Sequence, residues 1–265
     1  MFRGALFVAK PGKMEYNTDS DRVIGEVEAM GATVINVVLI LLGSMIGLLF
    51  RGKIPEKLIR AITCALGLCV LLIGIDAALE TQNTLCVIVC MVVGTLLGEW
   101  IDIEGKMDKI GEALKAKVAM KGENARFSEG FVSASVLYCV GAMAINGSLA
   151  AGIKGDWSIL VSKGVIDGVT SITFAATMGM GVLFSVIPLF LYQGGLTLLA
   201  SVIGPYLSGE LVAEMSAVGG VIIIGIAVNM LALGKKRVRV GNMLPAIFLP
   251  AGYLFLAHWL GGLVG

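Results

Sequence analysis

The chain has 265 residues, a net charge of +1 and a mean hydropathy of +0.92, with 57% apolar and only 15% charged residues. A soluble globular domain is about 45–50% apolar and about 25% charged, so this balance excludes an ordinary soluble enzyme or a pair of soluble domains. The near-zero net charge gives no footing for nucleic acid.

Apolar runs of about 20 residues recur along the chain, each long enough to cross about 30 Å of hydrocarbon as a helix. The fold class is therefore all-α, a polytopic transmembrane helical bundle of about eight spans. Residues 1–29 are polar, with Arg3, Lys10, Lys13 and Arg22 against Glu15, Asp19, Asp21, Glu26 and Glu28. They lack the apolar core of a signal peptide. Met30 stands directly before the first apolar run, so residues 1–29 read as a disordered extension or a misassigned start. Residues 30–265 form a single transmembrane domain.

Span one covers about Ala32–Phe50 and is followed by Arg51, Lys53, Lys57 and Arg60. Span two, about Ala61–Leu79, contains Asp76, and span three covers about Thr84–Trp100. The hydrophilic segment 101–129 carries six basic residues. Its apolar positions Ile103, Met107, Ile110, Leu114 and Val118 recur every three to four residues, which predicts an amphipathic helix. Span four is about Phe131–Ala151, span five about Ser158–Ala176, and span six about Val182–Ile203. Span seven is about Leu211–Leu233, followed by Lys235, Lys236, Arg237 and Arg239, and span eight is about Met243–Leu263.

With span one running inward, the connections after spans one, three and seven hold four, six and four basic residues, 14 of the 16 after Met30. Cytoplasmic connections carry such an excess, which puts both termini outside and segment 101–129 in the cytoplasm. GSMIG (Gly43–Gly47) in span one resembles GTLLG (Gly94–Gly98) in span three. ALG…LLIGI (Ala65–Ile75) resembles AVGG…IIIGI (Ala217–Ile226) in span seven. If spans six to eight echo spans one to three, the two groups form an inverted repeat. Glycines four apart, such as Gly43/Gly47, Gly94/Gly98 and Gly164/Gly168, predict close helix packing.

Charges inside an apolar span are costly and mark candidate sites. On span five, Lys163, Asp167, Thr170, Ser171 and Phe174 fall on one helical face. Lys163 and Asp167 can pair one turn apart, either as an ion or proton site lined by Thr170 and Ser171 or as a structural pair reaching the outer interface. Asp76 is a candidate partner for Lys163, or a carboxylate at interfacial water. Asn36, Asn146, Gln193 and Asn229 are amides within spans that can bind a solute or join helices. Glu99 and Glu214 sit at span ends.

Gly179, Gly181, Pro188 and Gly194 are hinge candidates, predicting a broken helix around Thr177–Gly195 whose free carbonyls could line a cavity. The five cysteines lie in apolar runs and read as small hydrophobes, although Cys86 and Cys90 share a helix face. No motif of soluble catalysis is present, His258 is the only histidine, and the sequence calls for no enzyme activity, cofactor or metal.

Three long stretches carry a family resemblance: FSEGFVSASVLYCVGAMAINGSLAAGIKGD (Phe127–Asp156), KGVIDGVTSITFAATMGMGVLFSVIPLFLYQGG (Lys163–Gly195) and EMSAVGGVIIIGIAVNML (Glu214–Leu231). Over roughly Gly31 to Leu256 the chain resembles the bacterial integral-membrane family of domain of unknown function 554, the YqgA/YdfK-like proteins. The resemblance implies a multi-pass protein of the bacterial cytoplasmic (inner) membrane, in a family often labelled as transporters, and carries over no substrate and no site residue. The residues favour a transporter or channel for a small solute or ion, with the lipid bilayer as its surroundings and a homo-oligomer compatible with it. The site would lie on spans five and six, facing spans two, four and seven. The alternative is a non-transporting membrane scaffold or regulator acting through the cytoplasmic segment 101–129.

Overall fold

The computed structural model describes residues 19–264 except 52, 108, 110–123 and 235. The helices are α1 (Asp19–Arg51), α2 (Glu56–Ala78), α3 (Thr84–Ile101), α4 (Asn124–Cys139), α5 (Ala142–Lys154) and α6 (Ser158–Met178). They continue with α7 (Gly181–Phe184), α8 (Val186–Leu198), α9 (Ala200–Ile203), α10 (Gly209–Met230) and α11 (Leu249–Val264). A 3-10 segment, Val240–Phe248, leads into α11. Seven stretches are long and apolar enough to cross a membrane, and the pair α4 and α5, bent by 58°, brings the count to eight if it forms one span.

The register of the helix contacts shows that α4 and α5 together carry the chain from one end of the bundle to the other. Gly31 lies against Trp157, Gly43 against Gly168, Gly47 against Ile172, and Arg51 against Gly179. The numbers rise together, so α1 and α6 run parallel. Short connections reverse the chain at α2 and again at α3, so the bent pair has to carry it back across before α6 begins. The other two close pairs are antiparallel: Gly67 meets Leu231 and Gly74 meets Gly220 between α2 and α10, while Gly94 meets Ala246 and Gly98 meets Asn242 between α3 and the 3-10 segment. Each expected glycine pair is a place where backbones touch. A Cβ at Gly98 would stand 1.8 Å from the Asn242 carbonyl oxygen, so no larger residue fits without separating the helices.

Contacts also sort the connections into two ends. Arg239 pairs with Glu99 and Asp102, and Arg237 with Glu129, at the same end as Arg51 and Gly179. The Arg239 guanidinium beside Asp102 holds that carboxyl below the usual carboxylate range. At the other end Glu214, fully buried, accepts from the Thr81 hydroxyl at 2.8 Å and from the Gln82 and Asn83 amides at 2.7 and 2.9 Å. The basic residues Arg51, Arg237 and Arg239 thus gather at one end of the bundle.

α10 is the central helix. It is apolar on every side, and 72% of its most apolar window is buried, against 17% for α2. α2 and α3 turn Leu72, Leu79, Leu85 and Leu96 outward to face lipid.

Two local expectations are corrected. The break expected around Thr177–Gly195 is met only in part. The chain turns at Gly179, whose φ of 88° suits glycine, and the helix is interrupted again at Ser185. Beyond it, α8 runs unbroken through Gly194 and Gly195. Pro188 falls in the first turn of α8, where its missing N–H costs no intrahelical bond. The sharp bend sits instead in span four at Gly141, which has a φ of 112°. The described part of the N-terminal extension, residues 19–29, continues α1 as helix. Of the expected amphipathic segment, residues 103–107 are helical, and 108 and 110–123 lie outside the described residues.

Candidate functional site

Polar side chains from three helices meet near the middle of the bundle's depth. α6 contributes Lys163, Asp167 and Ser171, one turn apart on one face. The Lys163 ammonium donates to Asp167 Oδ2 in a buried ion pair, the two residues being 5% and 6% exposed. Asp167 is the tenth of the 21 residues of α6, close to the middle of the span. Ionised side chains at that depth cost about 2.5–3.5 kcal/mol each on insertion scales, so only pairing and further hydrogen bonds make this arrangement tolerable.

The further bonds come from α1 and α8. Asn36 on α1 donates its Nδ2 to Asp167 Oδ2 at 3.3 Å and to Gln193 Oε1 of α8 at 3.1 Å. Its amide orientation follows from charge, since only an NH2 group can face a carboxylate. Asn36 and Gln193 are completely buried. One turn down α6, the Ser171 hydroxyl donates to the Asp167 carbonyl at 2.7 Å and meets the Tyr138 hydroxyl at 2.8 Å. Because the Ser171 proton is already engaged, Tyr138 is the donor of that second bond. Tyr138 sits at the end of α4, three residues before the Gly141 bend. The Thr197 hydroxyl, one turn beyond Gln193, donates back to the Gln193 carbonyl at 2.8 Å.

The cluster is incompletely satisfied. Asn36 Oδ1, Gln193 Nε2, Thr33 Oγ1 and Ser148 Oγ are buried and have no partner. Thr33 shares the inward face of α1 with Asn36. The contact of Gly152 with the Thr197 carbonyl sets the register of α5 against α8 and brings Ser148 level with Gln193. Unpartnered buried polar atoms are rare because each carries its full desolvation cost, and two of these four belong to Asn36 and Gln193, the residues hydrogen-bonded to or beside Asp167.

Toward the end of the bundle where Arg51 and Arg239 lie, the buried face of α6 continues through Phe174 to Thr177. Thr177 lines a cavity of about 360 Å³ together with Arg60, Thr63, Cys64 and Glu129. A separate apolar cavity of about 320 Å³ lies nearer the outside, lined by Tyr192, Leu196, Tyr206, Met215 and Phe248.

The structure gathers some of the sequence candidates and disperses the rest. Lys163, Asp167, Ser171 and Gln193 are brought together. The Thr170 hydroxyl turns back to the Ile166 carbonyl at 2.8 Å, away from the cluster. Its row on α6 lies on the far side of the polar row from the Gly164/Gly168 row that touches α1. Asp76 is exposed near the outer end of α2, and Lys163 pairs with Asp167 instead. Asn146 is exposed on α5. Asn229 clamps the α10 connection, exchanging two hydrogen bonds of 2.8 Å with the backbone of Val238.

The hinge candidates act by close approach. A Cβ at Gly179 would meet the Arg51 guanidinium at 1.7 Å, one at Gly181 the Phe127 carbonyl oxygen at 2.0 Å, and one at Gly194 the end of the Met30 side chain at 3.0 Å. Cys86 and Cys90 are buried with their sulfurs 3.9 Å apart. Among the described residues no three His, Cys, Asp or Glu side chains converge as a metal site.

Sequence reasoning gave Asn36 no special place and missed Tyr138. Asn36 was findable: it lies 7 and 11 residues before Gly43 and Gly47, on the helix face that those glycines press against α6. Tyr138 carried no comparable signal.

The profile of a family described as "Protein of unknown function (DUF554)" matches residues 31–255. The chain belongs to the DUF554 family. Two relatives align over most of their length. The DUF554 chain is 30% identical to the "Uncharacterized membrane protein YdfK" of Bacillus subtilis (strain 168) over 236 residues, 88% of this chain and 99% of that protein. It is 32% identical to the "Uncharacterized protein YqgA" of Escherichia coli (strain K12) over 218 residues, 81% of this chain and 92% of that protein. No solved structure matches the chain. All residues of the polar cluster, from Thr33 to Thr197, fall within the DUF554 match. The chain is a multi-pass membrane protein of a bacterial family.

Proposed function

We propose that the protein is a transporter or channel of the bacterial inner membrane, and that the cluster of Asn36, Lys163, Asp167, Ser171 and Gln193 is where a small solute or ion is held. The observation that carries this reading is the buried Lys163–Asp167 pair, joined through the Asn36 amide to Gln193, with Asn36 Oδ1 and Gln193 Nε2 left unpartnered on α1 and α8. A purely structural pair is best stabilised when every surrounding donor and acceptor is used. Open acceptors and donors beside a charge at mid-depth suit a site that is filled and emptied.

Between the cluster and the cavity at Thr177 stands the fully buried Phe174, so passage between the two sides would require this face of α6 to open. The bend at Gly141 places a helix break next to Tyr138, in keeping with transporters whose sites are formed at discontinuous helices. Contacts between α1 and α8, α2 and α10, and α3 and the Val240–Phe248 segment join spans one, two and three to spans six, seven and eight. That pairing is what an inverted repeat of these two groups would give. The protein is then not an enzyme, and segment 101–129 is a cytoplasmic connection tied down by Arg237 and Arg239.

The reading is tested by uptake of a panel of labelled small ions and polar solutes into proteoliposomes. Wild-type protein should accelerate uptake of at least one, and Asp167→Asn should abolish it. Full uptake by an Asp167→Asn protein that unfolds at the wild-type temperature would remove the cluster from the pathway.

A further inference from the structure

We infer that the cluster is a binding site for a monovalent alkali-metal cation, which takes the place of the Lys163 ammonium on Asp167. The inference rests on the transport reading above and names the ligand class that the same site would accept.

The donor set points to a hard cation. Both hydrogen bonds to the Asp167 carboxylate fall on Oδ2, and Oδ1 takes none from the described residues. Asn36 Oδ1 and Thr33 Oγ1 are buried and unpartnered, and Gln193 Oε1 receives only the Asn36 amide. α1 and α6 thus carry one carboxylate oxygen, one amide oxygen and one hydroxyl with spare lone pairs, and α8 carries a second amide oxygen; bringing them onto one ion requires the Asn36 amide to turn its oxygen toward Asp167. Oxygen-only sets of this kind suit alkali and alkaline-earth ions. One carboxylate with neutral oxygens supplies charge for a monovalent ion. Among the described residues no group of three His, Cys, Asp or Glu side chains gathers there, as a divalent ion in a buried site would favour.

Size points the same way. The Gly43, Gly47, Gly164 and Gly168 contacts draw α1 and α6 together, with the Asn36 amide wedged between Asp167 and Gln193. An organic solute would have to separate these helices, whereas a single ion needs only a side chain to move.

Charge then dictates exchange. The Lys163–Asp167 pair is neutral, and adding a cation would leave an uncompensated positive charge in a low-dielectric interior. Binding therefore requires the ammonium to leave the carboxylate. Lys163 is the sixth residue of α6, one turn nearer the outer surface than Asp167, and its four-carbon stem can carry the ammonium outward to interfacial water. Lysine is in this sense a tethered competitor for the ion.

The experiment uses the full-length protein, purified in detergent. Thermal unfolding and equilibrium binding are measured in LiCl, NaCl, KCl and RbCl, against N-methyl-D-glucamine chloride at equal ionic strength. Specific ligands raise the unfolding temperature by mass action. Wild-type protein should respond saturably to at least one alkali cation and not to N-methyl-D-glucamine. Asp167→Asn should lose the response, and Lys163→Gln, which lacks the competitor, should reach half-saturation at a concentration at least ten-fold lower.

Should Lys163→Gln fail to fold in every salt, labelled sodium or rubidium binding to wild type and Asp167→Asn decides. Saturable binding lost in Asp167→Asn supports the site, and its absence in wild type overturns it. A response that persists in Asp167→Asn, or a Lys163→Gln protein with wild-type affinity, also overturns the exchange. Because binding is read without flux, these outcomes are separable from the uptake test. A cation site with unchanged uptake in Asp167→Asn would sink the transport reading alone, and uptake of another solute with no cation binding would sink the cation alone.

Discussion

Gly43 is the residue through which helix packing controls the polar cluster. In a Gly43→Ala protein the new Cβ would lie 2.0 Å from the Gly168 carbonyl oxygen and 3.2 Å from the Ser171 Cβ. Ordinary contact begins at 3.4 Å, so α1 and α6 must part by about 1.4 Å at that level, 3.4 less 2.0. Both atoms belong to a helix backbone or its root, so no flexible side chain can yield instead. Asn36 lies two turns away on the same face of α1. Its 3.3 Å bond to Asp167 exceeds the 3.5 Å limit of a hydrogen bond after a shift of only 0.2 Å, 3.5 less 3.3.

Overpacking costs about 1–3 kcal/mol and an interhelical membrane hydrogen bond adds about 0.6 kcal/mol, for a total of about 2–4 kcal/mol. At about 2–4 °C per kcal/mol for a chain of this size, the unfolding temperature should drop by about 4–16 °C. The assay is thermal unfolding of detergent-purified protein followed by size-exclusion fluorescence. Gly195→Ala is the matched control. It sits within α8 with nothing within 4 Å of its new Cβ, and it should change stability by less than about 1 kcal/mol. If Gly43→Ala unfolds within about 2 °C of Gly195→Ala, the claim that α1 and α6 are in rigid backbone contact is wrong.

Three further outcomes follow from the same geometry. Asp167→Ala or Lys163→Ala alone leaves a buried charge without a partner and should cost about 3–5 kcal/mol, whereas Lys163→Met with Asp167→Leu should come within about 1 kcal/mol of wild type. Equal losses in the single and double proteins would contradict a coupled pair. Glu214→Ala strips the acceptor from one hydroxyl and two amides of the α2–α3 turn and should cost about 3 kcal/mol. Glu214→Gln should recover part of that loss. Asp102 has its carboxyl pKa lowered by Arg239, so its contribution is fully present above the ordinary carboxylate value and fades as pH falls through the lower, folded one. The stability gap between wild type and Arg239→Gln should be flat above about pH 5 and shrink toward pH 3. A gap that stays constant down to that pH would mean the pair does nothing for the fold.

Much of this was legible in the sequence because membrane constraints are coarse. The seven to eight apolar spans follow from the thickness of hydrocarbon, and the gathering of Arg51, Arg237 and Arg239 at one end follows the clustering of 14 of 16 basic residues in three connections. Lys163 and Asp167 stood out because charges in a span need a reason. What stayed hidden depended on rotation about each helix axis. On α6 the polar row and the glycine row lie side by side, and it is the pair of rows that faces inward, which leaves Thr170 beyond the edge. Amides gave no such cue alone: Asn36 is buried between two helices, Asn229 ties down a connection, and Asn146 is exposed, though all three read alike as neutral groups in apolar runs. The break expected around Thr177–Gly195 is met at Gly179 and Ser185 but not at Pro188, which fits a first turn, while Gly141 is one of 36 glycines with nothing in the sequence to mark its φ.

Whether water reaches the cluster decides the central claim. In a background with Cys64, Cys69, Cys86, Cys90 and Cys139 replaced, single cysteines at Ser171 and Gln193 can be exposed to a membrane-impermeant thiol reagent in proteoliposomes. Cysteine at Ile222, a completely buried apolar position on α10, serves as the dry reference. A pathway through the cluster predicts that Ser171→Cys and Gln193→Cys react while Ile222→Cys does not. Silence at all three positions, in protein that is folded and reacts when denatured, would contradict it.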